Sequence, residues 1–258
     1  PRIGPTFQII LSGVPDLKPD ATRMVPEADI YDVDLFRTEK RTIETMKRLN
    51  KTVVCYFSGG TYEPNRPDSK EFATVDKGNR LAQWPNEKWL RLPSRSVRRI
   101  IENRIKLARE KGCDAVDPDN IDGYGAAGGG VGLTKRDSIN FVQFLSKTAA
   151  NYNLALGLKN GLEILPDVKH LVHFAVNEEC VKNNECGIYE SFTAKDNKPV
   201  FHIEYPVNKP QTLPDTTRKR WCADKDSRKL QMRNFQTVIK LKNLDGWVLY
   251  CDGSHATT

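Results

Sequence analysis

The 258-residue sequence lacks several signatures that define common protein classes. No run approaches the roughly 20 apolar residues of a membrane-spanning helix, so no membrane span is predicted. The sequence contains no Cys-x-x-Cys spacing of zinc or redox sites and no Gly-x-Ser-x-Gly elbow of serine hydrolases. Helix-turn-helix, zinc-finger and RNA-binding signatures are also missing. The net charge of +7 is dispersed, so we expect a basic surface and no nucleic-acid partner.

Cofactor signals are equally sparse. Residues 123–128 fit the pattern Gly-x-Gly-x-x-Gly between a predicted strand and a predicted helix. The glycine run continues beyond this pattern, however, and the next predicted strand ends in Lys159-Asn160 rather than in the acid that binds a ribose. No EF-hand pattern is present. We therefore predict neither a nucleotide cofactor nor a metal, and we interpret the glycine run as a flexible loop.

The cysteines indicate the compartment. The six positions are 55, 113, 180, 186, 222 and 251, an even number that permits three disulfides and suggests an extracellular, secreted protein. Six cysteines allow 15 connectivities. The pairing of Cys180 with Cys186 is favoured because the two flank a short polar loop, whereas Cys55 lies in an apolar strand pattern and could equally be a buried thiol.

The hydrophobic pattern predicts an α/β fold. Short apolar runs that read as buried strands alternate with helical patterns, among them a helix after Ser94, a helix after Thr134 and a last helix over residues 226–241. Eight strands in about 250 residues predict a single-domain (β/α)8 barrel, residues 1–258, with an open doubly wound sheet as the alternative. The eight runs are residues 7–11, 30–33, 53–57, 115–116 with an extension, 154–158, 171–176, 200–203 and 247–250.

Residues 59–93 are too long and too polar for a simple connection between two elements. We expect an elaborated loop at the carboxyl end of the third strand, where barrel enzymes build their sites. Trp84 and Trp89 lie in this loop, and either could stack on a sugar or anchor the loop as a core aromatic.

Polar side chains gather at the predicted strand ends. Asp117-Pro118-Asp119-Asn120 follows the fourth strand, and Asn177-Glu178-Glu179 follows the sixth. In a barrel the strand ends face one mouth, so these groups would line one pocket. The remaining predicted site residues at strand ends are Asp32, Asp34, Tyr56, Lys159, Asn160, Glu204 and Tyr205.

Carboxylates from two strands suggest hydrolysis of a glycosidic bond. One carboxylate attacks the anomeric carbon or directs water to it, and the other protonates the leaving oxygen. A separation of roughly 5–5.5 Å between the two groups accompanies retention of configuration, and roughly 6.5–9.5 Å accompanies inversion.

Three segments also resemble one family of enzymes. They are Cys55-Tyr56-Phe57-Ser58-Gly59-Gly60, residues 84–90, and residues 112–122 with their Asp-Pro-Asp-Asn sequence; Asn177-Glu178-Glu179-Cys180 matches as well. Together they are similar to endo-α-1,4-polygalactosaminidases of glycoside hydrolase family 114, fungal type, over nearly the whole chain. The resemblance implies a (β/α)8 barrel that acts outside the cell on α-1,4-linked galactosamine in microbial exopolysaccharide.

The resemblance also implies roles for individual residues. It places the nucleophile in the Asp-Pro-Asp-Asn motif, where we prefer Asp119 and keep Asp117 as the alternative. The acid/base lies in the second motif, where we prefer Glu178 over Glu179. By analogy with similar barrels, we expect a retaining mechanism.

The other acids fit an amino sugar. A galactosamine that is not acetylated carries a cationic amine, and Asp32, Asp34, Asp117 and Glu204 could bind it through charge-assisted hydrogen bonds. Substrate binding is further expected from Tyr56, Asn120, Lys159, Asn160, Asn177 and Tyr205. We expect a monomer whose only partner is the polysaccharide, and the alternative function is a catalytically silent carbohydrate-binding barrel.

Overall fold

The computed structural model describes residues 6–206, 213–222 and 234–258, which form a mixed α/β fold. The strands are β1 (Phe7–Ile10), β2 (Ile30–Asp34), β3 (Thr52–Ser58), β4 (Thr61–Tyr62), β5 (Lys77–Arg80), β6 (Lys88–Leu90), β7 (Ala115–Asp119), β8 (Ala155–Lys159), β9 (Phe174–Glu178), β10 (Val200–Glu204), β11 (Phe235–Ile239), β12 (Trp247–Tyr250) and β13 (His255–Thr257). The α-helices are α1 (Lys40–Arg48), α2 (Arg95–Lys111), α3 (Lys135–Asn151), α4 (Leu165–Val168) and α5 (Asp215–Trp221). Within the described ranges, no helix is both long and apolar enough to cross a membrane. The predicted α/β class is confirmed, and the closure of eight strands into a barrel stays a prediction.

The chain divides into two compact units. The first comprises Pro1–Val54 and His173–Thr258. In it β1 pairs with β2, and β10 pairs with both β9 and β11, all in parallel. The antiparallel strands β12 and β13 follow β11. The rings of Phe7 and Phe201 stack at 4.6 Å between centroids, which joins β1 to β10 in the core of this unit.

The second unit, Cys55–Val172, contains β7 and β8 as a parallel pair together with α2 and α3. Local sequence sets an end of each of these helices. Gly112 ends α2 in the left-handed conformation at φ 95°. Thr134 begins α3 in a capping box, because its hydroxyl accepts from the amide of Asp137 while the Asp137 carboxylate accepts from the amide of Thr134.

The long segment after β3 is an elaborated loop, as the sequence predicts. It contains a small antiparallel sheet in the order β4-β6-β5. Two short 3-10 helices, Ser69–Glu71 and Thr74–Asp76, connect β4 to β5. Thr61 pairs with Trp89 and Tyr62 with Lys88, a register that brings the residues flanking β4 and β6 close together.

Three predictions of secondary structure require correction. The described part of the predicted helix 226–241 is the strand β11, which pairs in parallel with β10; residues 226–233 lie outside the described ranges. Its Thr, Val, Ile and Phe side chains favour an extended chain, although their spacing also fits a helix. Residues 247–250 form a strand, but it runs antiparallel to β11 and is not the eighth parallel strand. The strand predicted for residues 171–176 begins only at Phe174, because Leu171 belongs to the turn after α4.

The cysteines form three disulfides. Cys180–Cys186 is confirmed, and its two sulfurs close the loop that follows β9. Cys55, which the sequence left open as a buried thiol, is bonded to Cys113. The third bond joins Cys222 to Cys251.

Candidate active site

In the second unit, a close approach of two backbones places the end of β7. The amides of Gly59 and Gly60 both donate to the carbonyl oxygen of Asp119, at 2.8 and 3.0 Å. A Cβ atom on Gly60 would lie only 1.8 Å from the carbonyl oxygen of Asn120. Only glycine therefore allows the segment after β3 to hold the Asp119–Asn120 peptide.

The Asp119 carboxylate is surrounded by hydrogen-bond donors. The Tyr56 hydroxyl donates to Oδ2 at 2.9 Å, and Lys159 Nζ lies 3.3 Å from the same oxygen. The amide of Asn120 donates to Oδ1 at 2.8 Å. These contacts come from β3, from β8 and from the residue that follows β7, and they hold the carboxylate in a fixed orientation, which a nucleophile requires.

Burial controls the charges around this carboxylate. The Lys159 side chain is only 2% exposed, so its charge is shielded from water and interacts strongly with Asp119. Burial, and next the negative charge of Asp119, raises the pKa of Tyr56 well above its ordinary value. The phenol therefore stays protonated and continues to donate to Asp119.

A second layer of polar groups lies behind Asp119. The Asn120 side-chain amide donates to the hydroxyls of Ser58 and Thr61, and Thr61 donates to Glu87 Oε2 at 2.7 Å. Burial raises the pKa of Glu87 to about 7, although the hydrogen bond from Thr61 opposes the rise. Sequence reasoning missed Thr61 and Glu87, because only the pairing of β4 with β6 reveals that the two are adjacent.

In the first unit, Glu178 ends β9 and accepts a short hydrogen bond from the Tyr205 hydroxyl. The side-chain oxygen Oδ1 of Asn177 accepts from the amide of Cys180 at 3.2 Å, which fixes the turn after the strand. Glu179 points its carboxylate to Lys182 at 2.6 Å. Of the two adjacent glutamates, only Glu178 is therefore bonded to another of the predicted site residues.

Glu204 and the acids of β2 are buried in the same unit. Glu204 Oε1 accepts from the amide of Val181 at 2.9 Å and contacts His202 Nε2 at 3.0 Å. His202, which sequence reasoning left out of the site, thus orients one of the predicted acids. Asp34 Oδ1 accepts from the amides of residues 36 and 37, and Asp32 is completely buried on the same strand.

The structure distinguishes the two tryptophans of the elaborated loop. Trp89 lies on β6 against Gly123 and Gly129, where a Cβ atom on either glycine would come within 2.8 Å of it. It anchors the loop. Trp84 lies in the turn between β5 and β6 and is 55% exposed, an unusual exposure for so large an apolar side chain. Trp84 is therefore the more exposed of the two, since Trp89 is half-buried.

The predicted site residues thus fall into two groups, one in each unit. The second unit brings together Tyr56, Asp119, Asn120 and Lys159, with Asp117 buried on β7 and Asn160 directly after β8. In the first unit, Glu178 is hydrogen-bonded to Tyr205. Four other residues of this unit that the sequence predicts to bind substrate are buried: Asp32, Asp34, Asn177 and Glu204. The roles of all these residues stay predictions.

One group of side chains in the described ranges has the composition of a metal site. Cys180, Cys186 and His202 place their ligand atoms within 4.8 Å of one another. The two sulfurs are bonded to each other, so neither is a thiolate that could coordinate a cation. This group is structural.

Carboxylates held by charged and phenolic donors at the ends of parallel strands are typical of enzymes that hydrolyse glycosidic bonds. The sequence profile of glycoside hydrolase family GH114 matches residues 1–256. The chain therefore belongs to this family and is a glycoside hydrolase. The resemblance deduced from the motifs is confirmed. No curated protein matches the sequence significantly.

Solved structures agree with this assignment. One is the crystal structure of Ega3 from Aspergillus fumigatus in complex with galactosamine. Its sequence is 42% identical to this chain, and the two structures superpose with a TM-score of 0.87 over 97% of this chain and 96% of that chain. The glycoside hydrolase domain of PelA from Pseudomonas aeruginosa is 15% identical, with a TM-score of 0.68 over 94% and 97% of the two chains. Amy13B from Eubacterium rectale is 11% identical, with a TM-score of 0.54 over 90% of this chain and 64% of its own. The last two similarities show the fold alone.

Proposed function

We propose that this protein is an endo-acting hydrolase of α-1,4-linked galactosamine in a galactosaminogalactan-type exopolysaccharide. The observation that carries the proposal is the Asp119 carboxylate, held at the end of β7 by Tyr56, Lys159 and the amide of Asn120. Membership of family GH114 and the 42% identity to a structure that contains galactosamine support the substrate.

Asp119 is the nucleophile in this proposal and Glu178 is the acid/base. Asp119 Oδ attacks the anomeric carbon, the glycosidic C–O bond breaks, and Glu178 gives its proton to the leaving oxygen. Water then attacks the glycosyl–enzyme ester, Glu178 takes up the proton, and the anomeric configuration is retained. Tyr56 and Lys159 hold the Asp119 carboxylate in place, and Tyr205 orients Glu178. Asp117 is the alternative nucleophile.

The other predicted residues bind the sugar. Asp32, Asp34, Asp117 and Glu204 supply negative charge for the substrate amine, while Asn120, Asn160 and Asn177 bind hydroxyls. The exposed indole of Trp84 is suited to stack on a sugar unit of the bound polysaccharide, at a distance from the glycosidic bond that is cleaved.

We further propose that residues 1–258 form one (β/α)8-barrel domain that acts as a monomer outside the cell. The parallel strands with intervening helices support the barrel. The three disulfides support an oxidising, extracellular environment.

The test is the release of reducing ends from α-1,4-galactosamine polymer, with proton NMR of the first product to determine its anomeric configuration. Asp119→Asn and Glu178→Gln should each lower kcat by more than about 1,000-fold. Glu179→Gln is the matched control, because its carboxylate binds Lys182 instead of a predicted site residue. Full activity in Asp119→Asn together with inactivity in Asp117→Asn would transfer the nucleophile to Asp117. Polymer binding without any cleavage by the unmodified protein would favour a silent carbohydrate-binding barrel.

A further inference from the structure

We propose that Glu87 is a positioning residue for Asp119 and acts through a relay of two hydroxyls and one amide. The relay consists of Thr61, Ser58 and Asn120 and lies between the elaborated loop and the end of β7. This inference rests on the proposed function in one respect, since it takes Asp119 to be the nucleophile.

The hydrogen bonds of the relay have one consistent direction. Thr61 Oγ1 gives its only proton to Glu87 Oε2, at 2.7 Å. The short contact between the Ser58 and Thr61 hydroxyls must then use the proton of Ser58. Asn120 Nδ2 donates to Thr61 Oγ1 at 3.2 Å and to Ser58 Oγ at 3.3 Å. Every side-chain proton in the relay therefore points toward Glu87, while the backbone amide of Thr61 also donates to Ser58 Oγ, at 3.1 Å.

The other end of the relay holds the nucleophile. Asn120 is in the left-handed conformation, at φ 59°, and its backbone amide donates to Asp119 Oδ1 at 2.8 Å. Because the side chain of Asn120 is anchored on the two hydroxyls, its peptide group has a fixed orientation. A change at Glu87 that releases Thr61 would loosen Asn120 and then the donor that aims Asp119.

The charges around Glu87 make the relay sensitive to pH. The pairing of Tyr62 with Lys88 places Glu63 opposite Glu87 across β4 and β6, and like charges in that position repel. Arg66 binds Glu63 at 2.7 Å and offsets part of this repulsion. Burial is the largest cause that raises the pKa of Glu87 to about 7, Glu63 and Asp119 add to the rise, and Thr61 and Arg66 oppose it.

The direction of the pH effect follows from the proton count. Above about pH 7, Glu87 is ionised and can only accept, so the relay has the orientation described above. Below about pH 7, the protonated acid can donate to Thr61, and the directions of the two hydroxyl protons are no longer fixed. The network should therefore hold Asp119 most firmly above about pH 7, where Glu87 is ionised.

The kinetic experiment compares Thr61→Val, Glu87→Gln and the double variant over pH 5–9. Thr61→Val removes the relay hydroxyl without changing charge and should lower kcat about tenfold with little change in KM. Glu87→Gln keeps an acceptor for Thr61 and should lower kcat only about threefold, while the inflection near pH 7 disappears. Because the two residues act in series, the double variant should be no slower than Thr61→Val. Glu71→Gln, an exposed acid of the same loop that pairs with Arg99, is the matched control.

A second experiment needs no substrate. The side-chain amide protons of Asn120 are followed by NMR as a function of pH. In the unmodified protein their shifts should titrate near pH 7, and in both Glu87→Gln and Thr61→Val this titration should be lost.

The outcomes separate the relay from the proposed reaction. An unmodified protein that cleaves no galactosamine polymer refutes the proposed function, and the Asn120 titration then decides the relay alone. A 1,000-fold loss in Glu87→Gln with normal Thr61→Val would show that Glu87 acts on the substrate directly, which overturns the inference. Additive decreases of kcat in the double variant overturn it as well. So does a titration of the Asn120 side-chain amide shifts that Glu87→Gln leaves unchanged.

Discussion

Lys240 provides a quantitative test of the core of the first unit. This lysine directly follows β11, is completely buried, and donates to Gln8 Oε1 at 2.9 Å and to the carbonyl oxygen of Asp245 at 2.7 Å. Both acceptors are neutral, so they compensate poorly for the loss of water around an ammonium group. Burial accordingly lowers the pKa of Lys240 from 10.5 to about 7, and the Asp245 carboxylate opposes the shift only in part.

The magnitude and the sign follow from linkage. A pKa that falls from 10.5 to about 7 corresponds to about 5 kcal/mol in the free energy of unfolding, as an upper limit. Between these two values the unfolded chain binds a proton that the folded chain does not bind. Above pH 10.5 the lysine is neutral in both states and does not lower the free energy of unfolding. As the pH falls from 10.5 toward 7, the free energy of unfolding decreases.

To test this, Lys240→Met and the unmodified protein are unfolded in urea at half-unit intervals from pH 7 to 9.5. Over this range the free energy of unfolding of the unmodified protein should rise relative to the variant by about 3 kcal/mol. Lys242→Met removes an exposed lysine of the same loop and controls for the loss of one positive charge. Parallel pH curves for the unmodified protein and Lys240→Met would show that Lys240 does not titrate in this range in the folded protein.

Three further predictions concern the site and the frame around it. Tyr56→Phe removes a hydrogen bond to an ionised acceptor, Asp119, and should lower kcat/KM about 10- to 100-fold in the reducing-end assay; a change below twofold would contradict the role of the phenol. Trp84→Ala should raise KM several-fold for long polymer but not for short oligomers, and equal effects on both would exclude a distant stacking platform. Replacement of Cys55 and Cys113 by Ala opens a loop with a sequence separation of 58 and should cost about 4 kcal/mol in urea unfolding; a loss below about 1 kcal/mol would contradict this.

Much of the fold could be predicted because its signals are local. Gly112 and Thr134 mark helix ends through backbone conformation and capping, which depend on a few neighbouring residues. The strand β11 could not be predicted, because the spacing of its apolar residues fits a helix as well and only pairing with β10 decides between them. The antiparallel direction of β12 likewise depends on its partner.

The candidate site shows the same division. Asp119 and Glu178 could be proposed from the sequence because acids at the ends of buried strands are costly for structure alone and because the family motifs contain them. Glu87 could not, because nothing in its own neighbourhood distinguishes it from any other loop acid. The role proposed for Glu87 depends on its hydrogen bond from Thr61 and on the pairing of β4 with β6, which only the tertiary structure shows.

The most direct test of the central claim is mass spectrometry of the products from α-1,4-linked galactosamine polymer, both partly and fully deacetylated. The unmodified protein, Asp119→Asn and Glu178→Gln are compared, with circular dichroism to verify that each variant is folded. We predict short oligomers from the unmodified protein and intact polymer from both variants. Intact polymer in every sample, or oligomers from either folded variant at the normal rate, would contradict it.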